Sequence, residues 1–214
     1  MSSKFIYLHG FASSPRSAKA VYLCDRFAQI GLSLCIPDFN QGDFPHLTIT
    51  RQLHQVATLL PPPPTSVTVI GSSLGGLTAA WLGQNYPQIQ RLVLLAPAFE
   101  FLSHWLPQLG AARLQQWQQD GYLQTYHYGE NCWLPLDYNF VLYASQYREE
   151  LSRPLPTLIL HGIHDEVIPV QSSRDFARHR PWVQLIELDS DHALANVLPE
   201  IWDIIKAFCQ LSGK

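Results

Sequence analysis

The feature that most constrains the fold of this chain is a regular alternation of short apolar runs with longer segments of helical periodicity. The runs are apolar on both faces and lie at 5–8, 32–36, 67–70, 92–95, 157–160 and 183–188. Candidate helices lie at about 15–30, 47–60, 74–86, 137–150, 171–179 and 196–211. Strands of this kind that alternate with helices are typical of a parallel sheet covered on both sides. The sequence therefore predicts an α/β fold with right-handed crossovers.

Length and composition indicate a single domain over residues 1–214. Hydrophobic residues make up 47% of the chain and charged residues only 14%, which is ample for a packed core and argues against disorder. The prolines at 61–64 stand between a predicted helix and a predicted strand. We interpret them as a stiff connection and not as a domain boundary.

The charge balance and the cysteines exclude several classes of protein. The net charge is −3 and no cluster of lysine or arginine is present, so we expect neither nucleic acid nor an anionic membrane as a partner. No apolar run is long enough for a membrane helix, and no secretory signal is found, so we expect a cytoplasmic protein. Without CxxC pairs or metal-ligand spacing, we expect reduced thiols at Cys24, Cys35, Cys132 and Cys209.

One stretch, residues 99–147, breaks the alternation. It holds nearly half of the aromatic residues, has few charges and contains no convincing strand. Because it follows the run at 92–95, we expect it to project from the carboxyl edge of the sheet, where ligands of α/β proteins bind. Two interpretations remain open and are compatible: an aromatic lid over an apolar pocket, or a helical insertion whose rings fill a small core of their own.

A candidate nucleophile lies in the motif Gly71-x-Ser73-x-Gly75. A predicted strand leads into the motif and the predicted helix at 74–86 leaves it, which is the setting of a nucleophile elbow. Glycines are required there because neighbouring backbone passes where a Cβ would otherwise lie. The alternative is an ordinary glycine-rich turn between a strand and a helix.

A serine hydroxyl needs a base, and His192 is the candidate. It follows the last predicted strand and precedes the final helix, in the order serine, acid, histidine of this motif class. Five other histidines stand in loops or polar helix stretches and are interpreted as surface residues: His46, His54, His104, His127 and His179.

Asp165 is the candidate acid that would orient His192. It follows the run at 157–160 and leaves room for one helix and one strand before the histidine. The competing carboxylates, which are more simply interpreted as solvated, are Glu166, Asp189 and Asp191.

The spacing His161-x-x-His164-Asp165 could suggest a metal site. No further cluster of ligands supports that interpretation, so neither a metal nor a cofactor is predicted.

Two backbone amides are candidates for an oxyanion hole. In a strand–turn–helix elbow one N–H follows the nucleophile, here that of Leu74, and the other comes from the loop after an early strand. The sequence His9-Gly10-Phe11 ends the first predicted strand, so the Phe11 amide is the second candidate. The alternative is a plain glycine turn.

In combination these motifs resemble the α/β-hydrolase superfamily over essentially the whole chain. The finer resemblance is to small YqiA-like bacterial esterases, through Tyr7-Leu-His-Gly-Phe-Ala-Ser-Ser-Pro15 with Ser17 and Lys19-Ala20, through Ile70-Gly-Ser-Ser-Leu-Gly-Gly76, and through Asp191-His-Ala193. The resemblance implies an α/β-hydrolase fold and a cytosolic serine esterase for short acyl esters or thioesters, with Ser73, Asp165 and His192 as its triad. The stretch 99–147 is longer than in the most compact members.

We therefore expect hydrolysis of esters of small or medium apolar acyl groups through an acyl-enzyme. Activity should fall at acidic pH as His192 becomes protonated. Three other hypotheses remain: an acyl-CoA or other thioesterase, a peptidase or amidase, and a non-catalytic protein that binds a small molecule. An acyl-CoA panel, a comparison of ester with amide substrates, and a test for an activated serine distinguish them.

Overall fold

The computed structural model describes residues 3–147, 149 and 151–211. The strands are β1 (Ser3–Leu8), β2 (Leu34–Cys35), β3 (Ser66–Ser72), β4 (Ile89–Leu95), β5 (Tyr122–His127), β6 (Cys132–Asp137), β7 (Thr157–Gly162) and β8 (Val183–Leu188). The helices are α1 (Ala18–Gln29), α2 (Ile49–Leu59), α3 (Leu74–Asn85), α4 (Phe101–Leu109), α5 (Ala111–Asp120), α6 (Asn139–Ala144), α7 (Val170–Ala177) and α8 (Leu198–Phe208). No helix among these residues is long and apolar enough to cross a membrane.

The six predicted strands form one sheet, which confirms the α/β prediction. Its order is β2-β1-β3-β4-β7-β8, and every neighbouring pair is parallel. The chain first moves outward from β1 to β2 and then returns to the other side of β1 with β3. This reversal opens a crevice at the carboxyl ends of β1 and β3, the usual position of a ligand site in such sheets.

Alternate residues of the central strands pack into two separate cores. Phe5 and Tyr7 of β1 join the core beneath α1 and α8, where Phe27 and Trp202 stack edge to face at 5.3 Å. Ile6 and Leu8 join the larger core on the opposite face, beneath α2 and α3. Burial on both faces explains why these strands carry continuous apolar runs.

The prediction that residues 99–147 contain no strand is wrong. After α4 and α5 the chain forms an antiparallel hairpin, β5–β6, in which Tyr122 pairs with Asp137 and His127 pairs with Cys132. Helix α6 follows the hairpin and is shorter than the predicted helix at 137–150, of which Arg148 and Glu150 lie outside the described residues. The insertion is thus part helix and part hairpin, and not helical throughout.

The interpretation of His127 as a surface residue is also wrong. Its side chain is fully buried at the end of β5, where its Nε2 lies 3.2 Å from Asn40 Oδ1 and its Nδ1 accepts a hydrogen bond from the Glu130 amide. Asn40 in turn donates its Nδ2 to the Ser13 carbonyl at 2.8 Å. The turn of the hairpin is thereby anchored to the loop that follows β1.

Two glycines allow the turn after β3 to lie directly against β1. A Cβ on Gly75 would overlap the carbonyl oxygens of Leu8 and His9, and a Cβ on Gly71 would overlap the backbone of Gly75. These neighbours are backbone atoms of a buried sheet and cannot move aside. The glycines of the motif are therefore required by contact between backbone segments.

Replacing Gly75 by alanine should destabilise the protein by more than about 3 kcal/mol, because either the elbow or the end of β1 must shift. Gly110→Ala is the matched control, since Gly110 has φ +78° and no atom within 4 Å of an added Cβ. That change should cost about 1–2 kcal/mol. Urea unfolding of both variants measures the difference, and equal losses of stability would contradict the backbone-contact argument.

Candidate active site

The structure brings the three predicted catalytic residues together at the carboxyl edge of the sheet. Ser73 Oγ lies 3.0 Å from His192 Nε2, and His192 Nδ1 lies 2.7 Å from Asp165 Oδ2. With the Nδ1 proton donated to the carboxylate, Nε2 is free to accept the proton of the serine hydroxyl. The three groups form a continuous chain of hydrogen bonds from hydroxyl to carboxylate.

The backbone at Ser73 holds the hydroxyl above the sheet. Ser73 has φ 53° and ψ −121°, a conformation that costs a non-glycine residue of order 1–3 kcal/mol and that surrounding structure must enforce. Its amide donates to the Leu95 carbonyl at 2.9 Å, and its own carbonyl accepts from the amides of Gly76, Leu77 and Ala98. The strained turn is therefore tied to β4 and to the first turn of α3.

Asp165 is a buried carboxylate with several donors. Its Oδ1 accepts hydrogen bonds from the amides of Val167 at 2.9 Å and Ile168 at 2.8 Å. Burial by itself would raise the pKa of Asp165, but hydrogen bonds from His161, His192 and the Ile168 amide outweigh burial and hold that pKa well below its usual range. These donors thus favour the carboxylate form of Asp165, which faces His192.

His161 is a residue of this site that sequence reasoning missed. Its side chain is fully buried, and its Nε2 lies 3.1 Å from Asp165 Oδ2 and 3.0 Å from the Ile168 carbonyl. Both of those partners are acceptors, so Nε2 carries a proton, and Nδ1 accepts the hydroxyl proton of Ser173 at 2.7 Å. His161 therefore shares Asp165 Oδ2 with His192 and fixes that oxygen from the opposite side. The sequence signal for this role was the position of His161 at the end of a predicted strand, four residues before Asp165.

The competing carboxylates are engaged elsewhere or lie in solvent. Asp189 pairs with the exposed His164 at 2.9 Å, Asp191 accepts from the Ala193 amide at 2.9 Å, and Glu166 is exposed. Of the four candidate acids, Asp165 is the one that is hydrogen-bonded to His192 in the structure.

Lys19 fastens the loop that carries His192 to helix α1. Its Nζ donates to the Ala193 carbonyl at 2.7 Å. Burial lowers the pKa of Lys19 to about 8, against the opposing attraction of Asp191 and Asp165. Lys19 thus has a structural role. In the sequence it was notable only as part of the motif that resembles the esterase family.

The loop after β1 lies directly beside Ser73. A Cβ on Gly10 would stand 3.3 Å from Ser73 Cβ. His9 holds the loop, because its Nε2 accepts the Phe39 amide at 3.0 Å and its Nδ1 bonds the Gly10 carbonyl at 2.9 Å. Among the described residues the Phe11 and Leu74 amides have no acceptor. Both amides predicted as oxyanion donors are thus unpaired among the described residues.

A cavity of about 460 Å³ opens above Ser73. Its wall includes Phe11, Phe101, Trp105 and Phe140, whose rings form a connected cluster with centroid separations of 5.2 to 6.4 Å. The insertion also buries rings of its own, since Trp117 is buried and donates its indole N–H to the Leu136 carbonyl at 2.9 Å. Aromatic residues of the insertion thus both line the cavity and pack beneath it.

Within the part of the chain that the structure describes, no group of three or more His, Cys, Asp or Glu side chains is arranged to hold a metal ion. His161 and His164, which the sequence places three residues apart, point to different partners, Ser173 with Asp165 and Asp189 respectively.

Chemically, this arrangement can activate a hydroxyl and stabilise an oxyanion. A histidine nitrogen lies within hydrogen-bond distance of the hydroxyl, a buried carboxylate bonds that histidine, and the Phe11 and Leu74 amides have no acceptor among the described residues. These are the components of acyl transfer.

The parallel sheet, the strained turn after β3 and the position of the site at the carboxyl edge define the class of protein: the chain has the α/β-hydrolase fold. Within that class it belongs to the family UPF0227, described as an uncharacterised protein family, whose model matches residues 4–209.

Solved structures of the same fold span nearly the whole chain. A candidate hydrolase of Agrobacterium vitis S4 is 25% identical with a TM-score of 0.84, covering 96% of this chain and 87% of its own. Alpha/beta hydrolase domain-containing protein 10 from mouse is 21% identical with a TM-score of 0.77, covering 98% and 90%. Est1E from Butyrivibrio proteoclasticus, with ferulic acid bound, is 20% identical with a TM-score of 0.75, covering 98% and 88%.

Replacing His161 by phenylalanine should slow the reaction of Ser73 with a fluorophosphonate about ten- to a hundredfold, the value of one hydrogen bond to a charged group. Loss of that donor raises the pKa of Asp165 and leaves a carboxylate that attracts the protonated form of His192 more strongly, so the acid limb of the labelling rate against pH should move to higher pH. His161→Gln, which keeps a donor, should restore part of the rate. An unchanged pH profile in a folded His161→Phe protein would show that His161 only fills space.

Proposed function

We propose that this chain is a serine hydrolase that cleaves carboxylic esters of small or medium apolar acyl groups. The observation that carries the proposal is the unbroken chain of contacts from Ser73 through His192 to the buried Asp165, at the floor of an apolar cavity. Ser73 is the nucleophile, His192 the general base and acid, and Asp165 the group that orients and stabilises the imidazolium.

In the proposed reaction, His192 takes the proton of Ser73 as Oγ bonds to the ester carbonyl carbon, and the Phe11 and Leu74 amides hold the oxyanion. The carbon–oxygen bond to the leaving group breaks as His192 returns the proton to the departing alcohol. Water then attacks the acyl-enzyme, with His192 again as base, and releases the acid and free Ser73. Ser73, His192, the leaving alcohol and water account for each proton transfer.

The aromatic wall of the cavity supports an apolar acyl group. Four rings from the loop after β1, from α4 and from α6 surround the space above Ser73, and burial of apolar surface against them would contribute about 25 cal/mol per Å². The bound ferulic acid of Est1E shows that a protein of this fold can hold an aromatic carboxylic acid. A cavity of about 460 Å³ is of the size that holds small ligands.

The first test is intact-mass analysis after exposure to a fluorophosphonate, which needs no choice of substrate. Wild type should gain one adduct and Ser73→Ala none, because only an activated hydroxyl displaces fluoride. Ser72→Ala is a matched control on the neighbouring serine, whose side chain is buried; it should keep the adduct if it folds. No adduct on folded wild type would replace the hydrolase proposal by a binding role.

Given an adduct, matched esters, acyl thioesters and amides of one acyl chain distinguish an esterase from a thioesterase and an amidase. For the preferred class, kcat/KM should fall as the pH drops below neutral, because a protonated His192 cannot accept the serine proton. A profile that is flat from about pH 5 to 8 would exclude histidine as the base.

A further inference from the structure

The cavity above Ser73 has a single charged residue among the described residues that line it, and that residue is Arg113. Arg113 lies on α5 and is exposed to solvent. The rest of the lining is apolar, aromatic or neutral polar, and it includes no carboxylate. The chain carries a net charge of −3, so the one charged residue of this lining is opposite in sign to the overall charge of the protein.

The guanidinium of Arg113 has no partner among the described residues. Most other described arginines are fixed by the protein. Arg51 bonds Asp43, Arg174 makes two hydrogen bonds to Glu187, and Arg153 bonds the Tyr86 carbonyl at 2.9 Å. Arg113 therefore keeps its full set of donors for a molecule that enters the cavity.

From this arrangement we infer that the substrate is an ester or thioester that carries a carboxylate or a phosphate, which Arg113 binds while Ser73 attacks the acyl carbonyl. The inference rests on the proposed hydrolase function and narrows its substrate class. A guanidinium matches both anions through paired N–H donors.

The anion can stand in two places on such a molecule: at the far end of the acyl group, or on the leaving group. Both use the same recognition chemistry and they predict different substrates. Two ester series separate them. In the first, mono-4-nitrophenyl glutarate and adipate are compared with the 4-nitrophenyl esters of pentanoate and hexanoate. In the second, 4-(butyryloxy)phenyl phosphate is compared with 4-methoxyphenyl butyrate.

Arg113→Gln should lower kcat/KM about fivefold for the anionic members of one series, the effect expected of an ion pair near the surface. The neutral members should stay within about twofold, and Arg113→Lys should retain part of the preference. The wild-type preference should also shrink as NaCl is raised, because salt screens an exposed pair.

Arg178→Gln is the matched control, since Arg178 is an exposed arginine that pairs with Asp175 away from the cavity. It should leave both series unchanged. The fluorophosphonate labelling rate and the melting temperature of the Arg113 variants should equal those of wild type, which shows that Ser73 and the fold are intact.

The outcome identifies which proposal fails. Suppose that wild type hydrolyses neutral esters but Arg113→Gln loses no kcat/KM for any anionic ester, or Arg178→Gln loses as much. Either result overturns the anion site and leaves the hydrolase proposal standing. Absence of both an adduct and turnover of every ester overturns the hydrolase proposal and the anion site with it.

Discussion

The structure depends on the contact between the turn after β3 and the end of β1. The backbone of Gly75 lies against the carbonyls of Leu8 and His9 without intervening side chains. This contact fixes the strained Ser73 turn on one side and the Gly10–Phe11 loop on the other. The spacing between the hydroxyl and the candidate oxyanion amides thus depends on the sheet itself, in which β1 and β3 pair in register from Ser3 with Ser66 to Leu8 with Gly71.

A second constraint is the burial of a carboxylate beside that turn. Burial alone would favour a neutral Asp165, which could neither orient nor stabilise a charged His192. The loop at 165–168 folds back so that two of its amides meet one carboxylate oxygen, while His161 and His192 meet the other. Four donors therefore stabilise the carboxylate form of Asp165. One comes from the end of β7, two from the loop that follows it, and one from the loop before α8.

The sequence predicts those parts of the structure that are determined by residues close together in the chain. The strands of the main sheet and the glycines at 71 and 75 each leave a signature within a few residues, and Ser73, Asp165 and His192 each follow a predicted strand in the order of the motif class. The β5–β6 hairpin left none, because its strands mix exposed aromatics with polar residues, and Pro135 stands inside β6. Its pairing depends on burial of Leu123 and Leu136 against the rest of the insertion. His127 and His161 were missed as buried residues for a related reason, since Asn40 and Ser173 reach them only through the fold.

The hydrogen bonds that link His127, Asn40 and Ser13 join the β5–β6 hairpin to the loop after β1. The hairpin forms one wall of the cavity, whereas the Ser13 segment continues from the loop that offers the Phe11 amide. Because a shared support carries both, we expect a displacement of the hairpin to reach the loop that carries the Phe11 amide. Variation in α4 and α5 can reshape the cavity while this support stays in place. Variation at the hairpin turn would disturb this support. The wall of the cavity is thus divided into a part that can vary freely and a part that is coupled to the loop beside Ser73.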